Sequence, residues 1–111
     1  DRASPWRAEV VLASGAVLEY DTPRCALRAW LTRKVETKTL RVQEYYDRSW
    51  RDGNDVRFVA GGDVVGPMGA DLVPVEPSRI TKYIQDHGAD RAYALGEVSL
   101  EILTELGRSS K

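Results

Sequence analysis

The sequence predicts an α+β fold in which two tandem ββαβ units pack as one domain and a short C-terminal helix follows. The chain repeats itself weakly after 54 residues, and each copy contains two strand-like runs, a helical run and a third strand-like run in the same order. The composition fits: 111 residues, 42% hydrophobic and 30% charged, are typical of a single globular domain, here 1–111.

The repeat is marked by its turn and helix-start residues. A shift of 54 residues places Pro23 on Pro77 and Gly15 on Gly69. Each proline stands in the first turn of a predicted helix, where its missing N–H costs no hydrogen bond. Each glycine stands in a turn that precedes a strand. The same local structure is therefore expected twice.

The first unit covers about 5–47. Its predicted elements are strands over 6–13 and 17–20, a helix over 23–33 and a strand over 40–46. Thr22 is placed to cap the helix. One face of that helix carries Ala26, Leu27, Trp30 and Leu31, which are expected to face the core.

The second unit covers about 56–96. Its predicted elements are strands over 57–60 and 71–75, a helix over 77–87 ended by Gly88, and a strand over 91–95. A C-terminal helix is expected over about 98–107. The link at 47–55 is polar apart from Trp50, whose large apolar ring predicts that it pins the link to the core.

Charge and motifs exclude several functions. The 16 basic and 17 acidic residues leave a net charge of −1, and Glu36 interrupts the densest basic run, 24–41, so no nucleic-acid partner is expected. Hydrolase and kinase signatures are absent, as is any apolar run long enough to span a membrane. None of the sequence motifs examined therefore indicates catalysis.

Met68 is the only methionine and lies in the turn Gly66–Gly69, where Pro67 and Gly69 are typical β-turn residues. Methionine normally fills gaps in a core. Two interpretations follow: the loop folds back over apolar surface, or the sulfur has a binding role.

Cys25 and His87 are the other candidates for chemistry. Cys25 comes three residues after Thr22, in the first turn of the predicted helix and off its apolar face, where the helix dipole favours a thiolate. The alternative is a small residue buried under the preceding strand. His87 shares a helical face with Tyr83 and ends its helix, which favours a structural histidine over a metal ligand.

Three segments together resemble the NosL family, the copper-binding accessory lipoproteins of nitrous oxide reductase. They are 58–74, 18–25 and the helix end 85–88, and the likeness runs from about Trp6 to Val98. The pattern V-x-G-x-x-V-x-G-P-M-G within the first of them is the most specific part.

The resemblance implies a copper(I) chaperone without catalytic turnover. It would supply nitrous oxide reductase or another copper acceptor, in the periplasm or anchored to a membrane as a lipoprotein. It implies a fold of two ββαβ units, distantly like organomercurial lyase. By position, Met68 corresponds to the methionine of the family's turn and Cys25 to the cysteine that opens its first helix. Both are implied Cu(I) ligands, with Gly66, Pro67 and Gly69 forming the turn that presents the first.

Members of that family usually begin with a lipid-carrying cysteine and a C-x-x-C-G-M-like tract, and this chain starts after that point. The expectation is a Cu(I) site without its upstream ligands, or one that has lost the metal, and membrane attachment only through an upstream anchor. Two other functions stay open from the residues: a metal-free interaction module that uses the turn Gly66–Gly69, and a small enzyme with Cys25 as nucleophile.

Overall fold

The structure, a computed structural model, describes residues 4–109, so both ends of the predicted domain 1–111 lie outside the described residues. The first half contains β1 (Ala8–Leu12), β2 (Val17–Tyr20), α1 (Pro23–Thr32), β3 (Thr37–Gln43) and β4 (Trp50–Asp52). The second half contains β5 (Arg57–Ala60), β6 (Val73–Val75), α2 (Ile80–His87), β7 (Arg91–Tyr93) and α3 (Leu100–Ser109). Short 3₁₀ turns occur at Gly53–Asp55, Pro77–Arg79 and Leu95–Glu97.

The strands form two antiparallel sheets with orders β2-β1-β3-β4 and β6-β5-β7. In both sheets the first strand of the unit lies between the second and the third. Val10 pairs with Leu18 and Leu40, and Phe58 pairs with Pro74 and Tyr93. The predicted α+β fold of two ββαβ units is confirmed.

Strand β3 begins and ends three residues earlier than predicted, at Thr37 and Gln43. Its end is set by the side chain of Glu44, whose Oε1 accepts hydrogen bonds from the backbone N–H groups of Tyr46 at 2.8 Å and Asp47 at 2.9 Å. These bonds turn the chain away from the sheet, because the two N–H groups no longer point toward a neighbouring strand.

The link between the units differs from the prediction. It contains strand β4, in which Trp50 pairs with Gln43 of β3. The ring of Trp50 is exposed, and the guanidinium of Arg41 lies 5.2 Å from its centroid. The prediction that Trp50 pins the link to the core is therefore wrong: backbone pairing holds the link, and the ring stacks on the outside of the sheet.

The helix starts follow their capping residues. Thr22 Oγ1 accepts from the N–H of Cys25 at 3.2 Å, as predicted for α1. In the second unit Pro77 opens a 3₁₀ turn, in which the Glu76 carboxylate accepts from the N–H of Ser78 at 3.2 Å. The α-helix proper therefore begins only at Ile80.

The main core takes side chains from both sheets and from α1 and α3, including the buried Val10, Leu27, Leu40, Phe58, Leu72 and Leu103. Of the apolar face predicted for α1, Ala26 and Leu27 are fully buried and Trp30 and Leu31 are packed against this core. A smaller core consists of Val59, Val73, Val75 and Tyr83. Within residues 4–109 no helix has the length and apolar run needed to cross a membrane.

Candidate metal site

The turn Gly66–Gly69 lies at the tip of the loop between β5 and β6. Two backbone hydrogen bonds close it: Gly66 N–H donates to Gly69 O at 2.9 Å, and Gly69 N–H donates to Gly66 O at 3.1 Å. Gly69 has φ +102°, a left-handed conformation that a side chain would strain. The tight turn predicted from the sequence is therefore present.

Met68 stands exposed on this turn. Its side chain is 56% accessible, although methionine is usually buried. The neighbouring Val65 is also exposed, at 64%. The loop therefore does not fold Met68 back into the core, and the thioether is open to a ligand.

The base of the loop is fastened to the end of α2. Asp63 N–H donates to His87 O at 3.0 Å. Gly62 has φ +81°, and a Cβ there would lie 2.3 Å from Gly88 O, so only glycine allows this approach. This contact fixes the direction in which the loop leaves β5.

Asp71 and Arg24 fasten the other end of the loop to the start of α1. Asp71 Oδ1 accepts from the N–H groups of Arg24 and Leu72, both at 2.8 Å. Arg24 Nη2 in turn donates to Met68 O at 3.2 Å. The turn is thus docked against the helix that carries Cys25. Sequence reasoning missed Asp71, although a lone carboxylate inside the apolar run 70–75 is a signal that could have found it.

The carboxyl group of Asp71 is only half satisfied. The residue is 5% exposed, and its Oδ2 is buried without a hydrogen-bond partner. Burial raises the pKa of Asp71 to about 6, against the lowering effect of the two backbone N–H groups. The group therefore titrates close to neutral pH, beside the turn that carries Met68.

Cys25 lies in the first turn of α1, as predicted, and is half-buried. Its side chain lines a cavity between α1 and α3, whereas Met68 lines a different cavity together with Pro67, Asp21 and Arg7. Both sulfur residues adjoin Arg24, but their side chains face different spaces. In the described part of the chain, no group of three or more His, Cys, Asp or Glu residues is placed to hold a metal ion.

His87 is held on both ring nitrogens. Nδ1 lies 2.7 Å from Asp63 Oδ1, and Nε2 lies 3.0 Å from the Tyr45 hydroxyl. The ring also contacts the rings of Tyr45 and Tyr83, with centroids 5.3 and 5.0 Å away. These contacts favour the structural histidine predicted from the sequence, because neither nitrogen is left for a metal.

The geometry defines a class of protein: an α+β domain of two ββαβ units that presents a thioether on a docked loop. The fold is similar to that in the crystal structure of the copper chaperone NosL from Shewanella denitrificans, with a TM-score of 0.73 and 15% sequence identity. The match covers 86% of this chain and 79% of the other. No curated protein matches the chain.

The sequence model of the NosL family matches residues 2–103. The chain therefore belongs to the NosL family, which confirms the resemblance carried by the glycine-rich loop and the first helix.

Proposed function

We propose that this protein is a copper chaperone that binds Cu(I) through Met68, with Cys25 as the second sulfur ligand, and passes it to an acceptor without catalytic turnover. Family membership supports a role of this type, and the structurally similar protein from Shewanella denitrificans is itself described as a copper chaperone. The observation that carries the proposal is the exposed thioether of Met68 on a turn held by backbone hydrogen bonds.

The chemistry of the two donors selects the metal. Thioether and thiolate sulfurs are soft and prefer Cu(I) to harder divalent ions, for which a thioether contributes little. A chaperone also has to release its cargo. Two ligands on an exposed turn and a helix start suit release better than a closed four-ligand cage does.

Arg24 is the link between the two ligands. It precedes Cys25 in α1 and holds the backbone carbonyl of Met68. The two segments that carry sulfur are therefore adjacent, and in this proposal both sulfur side chains turn toward one ion.

The acceptor in this proposal is nitrous oxide reductase or another copper protein, reached outside the cytoplasm from a lipid anchor upstream of the domain. These assignments rest on what the NosL resemblance implies. The exposure of Met68 is suited to transfer to a copper acceptor, because the acceptor can approach the ion before it leaves the chaperone.

Anaerobic competition with a Cu(I) chelator tests the proposal. Wild type should bind one Cu(I), more tightly than it binds Zn(II). Met68→Leu keeps the apolar volume but removes the sulfur, and it should lower the affinity about tenfold or more. Cys25→Ser should lower it by a comparable or smaller factor. Val65→Ala, on the same exposed loop, is the matched control and should bind like wild type.

An affinity of Met68→Leu equal to that of wild type, with the fold intact by circular dichroism, would contradict the copper assignment. The second candidate function would then apply: a metal-free interaction module that uses the turn Gly66–Gly69. The exposed apolar tip formed by Met68 and Val65 favours that candidate, because adaptable binding surfaces often use methionine. The third possibility, an enzyme with Cys25 as nucleophile, has no such support: among the described residues no hydrogen bond joins its thiol to a base.

A further inference from the structure

A basic cavity lies between α1 and α3. Its volume is about 380 Å³, and its lining is Arg24, Cys25, Arg28, Thr104, Gly107 and Arg108 with Leu103 beneath them. Three of these residues carry a guanidinium and none carries a carboxylate. In a chain with a net charge of −1, this concentration of positive charge is local.

Few acceptor groups of the protein bind the N–H donors of these three arginines. Arg24 Nη1 is buried and has no hydrogen-bond partner, which is costly for a charged donor. Arg28 is exposed and has no carboxylate partner among the described residues. Arg108 pairs with Glu105 at 2.6 Å, but both side chains are more than 60% exposed, so water screens the pair.

Gly107 keeps the cavity open opposite Arg24. Glycine inside a helix is less favourable than alanine, yet one stands here in α3. A Cβ at this position would lie 3.9 Å from Arg24 Nη1, in ordinary contact with it. A methyl group would therefore fit beside the unpartnered nitrogen, so the glycine is not needed to avoid a clash with Arg24.

We propose that this cavity binds a small oxyanion, a phosphate or a multicarboxylate. Guanidinium groups form paired, charge-assisted hydrogen bonds to such oxygens. A turn of the Arg24 guanidinium toward the cavity would give Nη1 an oxyanion acceptor, and Arg28 and Arg108 would donate to the same anion from the two helices. This binding goes beyond copper transfer and requires no metal.

Cys25 is the reporter for the test, because it is the only thiol and lines the same cavity. The metal-free protein is alkylated with iodoacetamide while inorganic phosphate or, separately, citrate is titrated at constant ionic strength. Binding should protect the thiol saturably, and the arm that saturates at the lower concentration distinguishes phosphate from carboxylate.

Variants decide whether the arginines cause the protection. Arg28→Gln and Arg108→Gln should each raise the half-protecting concentration about tenfold, since each removes one charge-assisted contact. Lys34→Gln removes the same charge from an exposed position outside the cavity and should behave like wild type. Gly107→Ala should weaken protection without loss of helix content, because its methyl group enters the cavity.

A second readout uses the charge of the reagent. Iodoacetate is an anion and iodoacetamide is neutral, but the two are similar in size. The rate of Cys25 alkylation by iodoacetate, divided by the rate with iodoacetamide, should fall in Arg28→Gln because the cavity loses positive charge. The same ratio should not change in Lys34→Gln. The proposal is overturned if neither anion protects saturably, or if Arg28→Gln and Lys34→Gln give the same protection curve. Because copper is absent throughout, failure here leaves the proposed chaperone function untouched.

Discussion

At the scale of single residues, Asp71 is a carboxylate buried within an otherwise apolar segment. One carboxylate oxygen holds the start of α1 and the N–H of Leu72, while the other is buried without a partner. The residue thus docks the loop and at the same time resists ionisation. Its raised pKa, about 6, makes stability depend on pH.

Asp71→Asn should remove that dependence. Between about pH 4 and about pH 6 the folded protein keeps a proton on Asp71 that the unfolded chain releases, so this group's contribution to the unfolding free energy falls as pH rises through the window. The stability of wild type relative to Asp71→Asn should therefore be greater near pH 4 than near pH 7, by up to about 3 kcal/mol. Urea denaturation at the two pH values measures it, and a difference that does not vary with pH would contradict the assignment.

At the scale of elements, the loop between β5 and β6 is positioned by the end of α2. His87 spans the contact, from Asp63 in the loop to Tyr45 after β3, and its backbone carbonyl accepts the N–H of Asp63. The side chain of His87 is 24% exposed, so its hydrogen bonds are only partly shielded from water. His87 therefore holds the base of the loop against α2 and the segment after β3.

His87→Ala should lower the unfolding free energy by about 1–2 kcal/mol, because it removes both side-chain hydrogen bonds and part of the aromatic packing. The Cu(I) affinity should stay within about twofold of wild type, since the turn Gly66–Gly69 keeps its own bonds and its contact with Arg24. Thermal unfolding and chelator competition on the same samples test both parts.

Lys82→Ala is the matched control for that experiment. It removes an exposed ion pair with Asp86 from the same helix and should change stability by less than about 0.5 kcal/mol. A large loss of copper affinity in His87→Ala would mean that the histidine belongs to the metal site.

At the scale of the whole molecule, Glu44 joins the two units. Its side chain is fully buried, yet it lies between β3 of the first sheet and the turn after β6 of the second. Oε1 accepts from Arg79 Nη1 at 2.7 Å, and Oε2 accepts from the N–H of Glu76 at 3.0 Å. Nearby, Tyr45 N–H donates to Pro74 O at 2.8 Å. The two sheets are thus connected by hydrogen bonds as well as by the shared core.

Glu44→Ala should lower the unfolding free energy by about 3 kcal/mol, because it leaves three partly buried backbone donors without their acceptor and removes the buried one of the two carboxylate partners of Arg79. Urea denaturation measures the loss. Glu36→Ala, which breaks the exposed pair with Arg33, is the comparison and should cost less than about 0.5 kcal/mol. Equal effects of the two substitutions would show that Glu44 does not hold the units together.

The sequence by itself determined what depends on near neighbours. The cap at Thr22, the prolines that open both helical segments, the tight turn around Met68 and the repeat of ββαβ units all follow from hydrogen bonds and φ preferences within a few residues. The position of Cys25 in the first turn of α1 follows in the same way.

Only the tertiary structure decided what depends on distant partners. Strand β4 forms because it pairs with the edge of β3. Trp50 is therefore exposed, although the sequence analysis predicted that its ring packs on the core. Asp71 finds its partner 47 residues away in Arg24, and Glu44 finds Arg79 across 35 residues. Whether Cys25 and Met68 face one space or two is set by how α1, α3 and the loop pack. Hydrogen bonds between residues close in sequence can be predicted from that sequence. The residues that surround a buried charge or an exposed sulfur come from distant segments, so they are set only when the two sheets pack together.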